Sequence, residues 1–209
     1  MVVNGQTILG RLLDQFSRSN AFAEIYVNAS YQVSSIAKFV SDRPLKQRPQ
    51  MIWEPSPMGT AYTVCRLLNR VGDRLVVVHG DLLLETESVL TFVKTVVTSE
   101  MSWLAVHERS QRSARSQVVI SGNRVVEVME TSTNLSESDE RALVNSGIYC
   151  FGANSVLLAS EVFKHNPISP GLLNHVAASG GLIPYRWTGK RVSIETGRDL
   201  EVAQSLLLP

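Results

Sequence analysis

His79-Gly80-Asp81 closes a run of four apolar residues, Leu75 to Val78, and places a carboxylate where a short buried strand would end. Open α/β sheets bind ligands at the carboxyl ends of their strands, which makes Asp81 the first candidate for chemistry. Upstream, Gly59-Thr60 follows a proline-punctuated approach containing Pro55 and Pro57. Gly59 permits a tight bend, and Thr60 stands at the start of a helix. A glycine-bordered helix start facing an acidic residue suits a nucleotide and its metal ion. Each residue also has a plainer reading: Asp81 as a turn or helix-cap Asp, and Gly59 as an ordinary bend before a helix.

The elements that must hold these residues are legible in the apolar spacing. Ala61, Val64, Cys65 and Leu68 form a helical stripe between the strand at Met51 and the strand at Leu75. Before them, Thr7 caps a helix marked by Ile8, Leu9, Leu12, Leu13 and Phe16. A strand at Ile25–Val27 and a helix marked by Val33, Ile36, Ala37 and Val40 follow. After Asp81 come a helix over Val89–Val97 and a strand at Trp103–Val106. The alternation then breaks: Val118–Ile120 and Arg124–Val128 flank Gly122 as a hairpin, and residues 131–142 read as a polar loop. A strand at Val144–Phe151, short helices around 155–164 and 170–179, strands near 183–187 and 191–194, and a closing helix over 198–207 complete the chain. This order implies an α/β fold, doubly wound around a mainly parallel mixed sheet, with a small β-hairpin part. The expectation is one domain, 1–209, in two halves, 1–108 and 109–209.

Composition narrows the function. Of 209 residues, 44% are hydrophobic and 19% charged, enough apolar material for a folded core. Twenty basic against nineteen acidic side chains leave a net +1, which argues against a nucleic-acid surface. No apolar run approaches membrane-spanning length, and no signal pattern opens the chain, so a cytoplasmic protein is expected. The two cysteines, Cys65 and Cys150, sit in apolar segments without metal-type spacing and read as buried reduced thiols.

Four stretches in one order carry a resemblance: NGQTILGRLLDQF, EPSPMGTA followed by LVVVHGD, VNSGIYCFGANSVL and RWTGKRVSIETGRDLEVA. The chain resembles the sugar-1-phosphate nucleotidyltransferases, or NDP-sugar pyrophosphorylases, over nearly its whole length. It lacks the Gly-rich signature loop and the strand that precede Asn4-Gly5 in that family. In the family's architecture that strand is central, so the two strands flanking it would be left with unpaired edges.

The resemblance implies transfer of a nucleotidyl group from a nucleoside triphosphate to a sugar 1-phosphate, with Mg2+. It assigns the metal to Asp81, the base to Glu54, Gly59 and Thr60, and the sugar to Glu130, Asn145 and Gly147. Glu54 only accepts hydrogen bonds, which favours guanine N1–H and N2–H. The family's phosphate-binding Lys is absent, since Glu130 is followed by Thr131-Ser132. Its second metal-binding Asp aligns with Ser193; strand alternation would bring Glu195 to the same face as a substitute ligand. Asp199 reads as a helix cap. Expected partners are the two substrates, with self-association or pairing with a homologous subunit, and neither nucleic acid nor membrane. A catalytically inactive regulatory or assembly subunit of the same fold is the alternative. A glycosyltransferase is disfavoured, because Asp81 is followed by Leu82-Leu83 rather than by a second Asp.

Overall fold

Thr7 begins the first helix as its residue type demands: its hydroxyl accepts the Gly10 amide at 3.0 Å and caps α1 (Ile8–Arg18). The computed structural model describes all residues except 47, 55, 111–115, 131–140, 153–154, 156–159 and 207–209. The chain divides into two compact units interleaved in sequence, one of 1–58, 80–94 and 189–209, the other of 59–79 and 95–188. No helix among the described residues is long and apolar enough to cross a membrane.

In the first unit, β1 (Val2–Val3) and β2 (Gln6–Thr7) pair antiparallel around Asn4-Gly5, whose φ values of 48° and 76° suit a tight hairpin turn. β3 (Tyr26–Ala29) and β4 (Gln50–Trp53) pair in parallel, with α2 (Val33–Ser41) as the crossover. Leu13, Val27 and Val40 pack together beneath them. Gln15, only 3% exposed, ties α1 to the next stretch of the unit. Its Nε2 donates to the Leu84 carbonyl at 2.8 Å and to the Thr86 hydroxyl at 3.0 Å. Those acceptors belong to β6 (Leu82–Leu84) and to the first residue of α4 (Thr86–Val96). β6 pairs antiparallel with β12 (Arg191–Ser193), and α6 (Gly197–Leu206) follows.

The second unit is built on a sheet of order β11-β7-β10-β8-β9, with β5 (Leu75–Val78) against β10 (Arg141–Phe151). β7 (Ser102–Ser110) and β11 (Leu182–Arg186) are parallel; β10 runs antiparallel to β5, β7 and β8 (Ser116–Ser121), and β8 pairs antiparallel with β9 (Arg124–Glu130). α3 (Thr60–Val71) and α5 (Leu173–Ala178) contribute Leu68, Leu173 and Val176 to a core with Leu104, Tyr149, Phe151 and Leu182. Asn174 fastens α5 to β9, its Oδ1 accepting the Val128 amide at 2.7 Å while its Nδ2 donates to the Val128 carbonyl at 3.0 Å.

The α/β fold, the capped first helix, the hairpin and the strand at 75–78 match the sequence expectation. β6 does not: Leu82–Leu84 is too short to show a period, yet all three leucines are buried in a ladder with β12. Among the described residues β3 pairs only with β4, and β5 only with β10, so each presents one edge without a strand partner. The polar loop expected at 131–142 falls mostly outside the described residues.

Candidate functional site

Asp81 stands in the first unit, one residue before the short ladder of β6 with β12. Its carbonyl accepts the Ile194 amide at 3.0 Å, and its Oδ2 accepts the Ser193 hydroxyl at 3.0 Å. Ser193 pairs with Leu82 in the ladder, so the register itself brings position 193 beside the carboxylate. The pair it delivers is one carboxylate and one hydroxyl, with a formal charge of −1 where two carboxylates would supply −2. Among the described residues no group of three His, Cys, Asp or Glu side chains forms a metal cluster. A Mg2+ that takes only one or two protein oxygens, and phosphates and waters besides, still fits Asp81 and Ser193.

β12 ends at Ser193, so strand alternation does not govern Glu195. Glu195 is exposed, and its amide donates to Asp199 Oδ2 at 3.1 Å. The same Asp199 oxygen accepts the Thr196 amide and hydroxyl, each at 2.7 Å, while the Thr196 hydroxyl accepts the Asp199 amide at 3.3 Å. This reciprocal arrangement is a capping box at the start of α6, the cap expected of Asp199. Glu54, half-buried, follows β4 and extends the ladder by one bond, donating its amide to the Ala29 carbonyl at 3.3 Å.

In the second unit, Gly59 precedes α3 with φ of 95°, a conformation an L side chain rarely adopts. A Cβ there would meet the Asn166 carbonyl oxygen at 2.6 Å and the Asn166 nitrogen at 2.8 Å. Close backbone packing therefore requires this glycine. The helix-start amides are also engaged: Ala61 donates to the Asn166 carbonyl at 3.1 Å and Thr63 to the Gly59 carbonyl at 3.3 Å. The Thr60 hydroxyl accepts the Ile168 amide at 3.0 Å.

Asn145 and Gly147 lie at a register shift in β10, between its partners Val106 and Leu104 on β7. Asn145 Oδ1 accepts the Gly147 amide at 2.8 Å, and its Nδ2 donates to the Tyr149 hydroxyl at 3.0 Å. Tyr149 is fully buried, and its hydroxyl lies 3.3 Å from His79 Nε2; the His79 amide donates to the Gly147 carbonyl at 3.0 Å. His107 Nδ1 lies 2.9 Å from the hydroxyl of buried Ser146. Glu130, exposed at the end of β9, sits directly opposite Ser116 in the β8–β9 hairpin. Sequence reading did not single out the contacts of Ser116 and Tyr149. Counting outward from the Gly122 turn places Ser116 near Glu130, but nothing local signals the Tyr149–His79 contact across 70 residues.

No family model matches the chain, and no curated protein does. Solved structures do. HddC from Yersinia pseudotuberculosis aligns with a TM-score of 0.73 at 15% identity, over 98% of this chain and 87% of that one. The same protein complexed with GMP-PN gives 0.72 over the same shares, also at 15% identity. A structure described as a glucose-1-phosphate thymidylyltransferase from Bacillus anthracis, in complex with a sucrose, gives 0.76 at 15% identity, over 99% of this chain and 84% of that one. The chain therefore has a nucleotidyltransferase fold from end to end.

Proposed function

We propose that this chain binds a nucleoside triphosphate and a sugar 1-phosphate and transfers the nucleotidyl group between them, giving an NDP-sugar and pyrophosphate. The observation that carries this reading is the hydrogen bond between Asp81 and Ser193, the two positions that the resemblance aligns with the family's metal-binding residues. The full-length fold likeness to a thymidylyltransferase supports it. Guanine is the favoured base: Glu54 only accepts hydrogen bonds, and one neighbour was solved with GMP-PN, a guanine nucleotide.

In this reading a sugar-phosphate oxygen attacks the α-phosphorus in line, and pyrophosphate leaves. Asp81 would hold Mg2+ with the Ser193 hydroxyl as a neutral oxygen donor, while Glu195, beyond the end of β12 and exposed, is left out of the ligand set. The ion's contribution, when bound, is to neutralise charge on phosphate oxygens. Glu130 and Asn145 orient the sugar hydroxyls, and Gly59 and Thr60 shape the base-side turn. Turnover is expected to be slow, because each missing charge stabiliser of this kind costs about 3 kcal/mol of barrier.

Calorimetry with GTP, UTP, dTTP, CTP and ATP, each with Mg2+, tests the reading. GTP is expected to bind most tightly. A folded protein that binds none of the five ends the nucleotidyl-transfer reading, and a preference for UTP or dTTP removes the role given to Glu54.

A further inference from the structure

One short segment touches both halves of the substrate site assigned to the second unit. At its start, the Asn166 carbonyl accepts the Ala61 amide at 3.1 Å, and Asn166 backbone atoms fill the space that a side chain at position 59 would need. Two residues on, the Ile168 amide donates to the Thr60 hydroxyl at 3.0 Å. At its end, the Ser169 hydroxyl donates to Glu130 Oε1 at 2.7 Å. Ser116 donates to the same oxygen at 2.9 Å, and the two serine hydroxyls lie 3.1 Å apart. Two donors occupy the two lone pairs of Oε1, and among the described residues no donor reaches Oε2. A carboxylate held this way keeps one oxygen as an acceptor for two neighbouring hydroxyls, the pattern a sugar diol presents.

We infer that Asn166–Ser169 is a strap that sets Glu130 in register with the Gly59–Thr60 turn, so that nucleotide and sugar phosphate bind with positive coupling. Ser169 and Ser116 are positioning residues: they aim Glu130 rather than touch substrate. This rests on the nucleotidyl-transfer reading. Hydrogen bonds at both ends make the strap short and stiff, so ordering the turn by a nucleotide orders Glu130 as well. By reciprocity, the sugar phosphate tightens nucleotide binding by the same factor.

Calorimetry on the full chain decides it, with mannose 1-phosphate and glucose 1-phosphate as probes and α,β-methylene GTP with Mg2+ as an inert nucleotide. The wild type is expected to bind one sugar phosphate at least about fivefold more tightly once the nucleotide is present. Ser169→Ala is expected to weaken sugar-phosphate binding about tenfold and bring the coupling factor to about one, leaving the nucleotide's own affinity unchanged. Ser169→Thr keeps the hydroxyl and restores both. Ser116→Ala weakens sugar binding but retains coupling, since the strap is intact. Thr60→Val, which removes the hydroxyl at the other end, abolishes coupling and serves as the second test should Ser169→Ala melt early. Full coupling in both Ser169→Ala and Thr60→Val overturns the strap while leaving the function standing. A wild type that binds neither nucleotide nor sugar phosphate overturns both together.

Discussion

The acidic corner of the first unit and the Asn145–Glu130 region of the second are built differently. Around Asp81 the side-chain support from the described residues is a single Ser193 hydroxyl at 3.0 Å on a three-residue ladder. In the second unit, Asn145, Gly147, Tyr149 and His79 are linked in sequence, and Glu130 takes two serine donors on one oxygen. Beneath that network lies a large apolar cluster in which Tyr149, Phe151 and Leu182 are fully buried. The two regions would therefore support a ligand by different means. Groups in the second unit are tied to one another by side-chain hydrogen bonds, so a ligand contact at one of them is passed on to its neighbours. The Asp81 corner has little charge of its own and depends on the phosphates and the ion to complete it.

The largest expected effect tests that dependence. Asp81→Asn keeps the acceptor for Ser193 but removes the charge; Mg2+-dependent nucleotide binding or turnover should fall at least about 100-fold. Calorimetry with and without Mg2+ reads it, and an unchanged affinity would move the ion away from Asp81. Next, Gly59→Ala should destabilise the fold by about 3 kcal/mol, since it combines a φ of 95° with a backbone contact at 2.6 Å. Gly72→Ala is the internal control. Gly72 also has a positive φ, 65°, but nothing lies within 4 Å of its Cβ position, so only about 1 kcal/mol is expected. Equal urea midpoints for the two variants would show that Asn166 does not press on Gly59. Smaller again, Ser193→Asp sets two carboxylates side by side. It should raise Mg2+ affinity about tenfold while lowering the melting temperature of the metal-free protein by like-charge repulsion. Added Mg2+ should reverse that loss; if it does not, position 193 does not face the ion.

How much of this the sequence disclosed depends on range. The Thr7 cap, the Gly122 hairpin, the β5 strand and the Asp199 cap are local devices, and each was legible from residue type and spacing alone. Ser193 beside Asp81 was legible only through alignment with a family, because the ladder that joins them spans 112 residues. The Leu82–Leu84 strand hid because three identical apolar residues have no period to read. Gly59 was the most instructive case. Its type signalled a bend, and the bend is there, but the glycine is required by the backbone of Asn166, more than a hundred residues away, which no local pattern reveals. Ser169 on Glu130 belongs to the same class of contact, set by the packing of a distant turn.

The smallest effect uses the cysteines, both of which lie in the second unit and are buried and free. Burial pushes the Cys65 thiol from 9.0 to about 11. It pushes Cys150 from 9.0 to about 12, with Arg74 opposing the rise and Asp73 adding to it. The thiolate is the reactive form, so neither cysteine should react with an aromatic disulfide reagent at pH 7.5 unless the unit opens. The sign for stability follows from proton counting. Between about pH 9 and 12 the unfolded thiols have lost protons that the folded ones keep, so raising pH through that window favours unfolding. Below pH 9 the two thiols should contribute no pH dependence. If the second unit is the rigid one, labelling in a urea series should begin only where the far-ultraviolet circular dichroism collapses. Labelling well before that point would mean the sheet around β10 opens on its own, and the contrast between a fixed second unit and a sparsely supported Asp81 corner would have to be inverted.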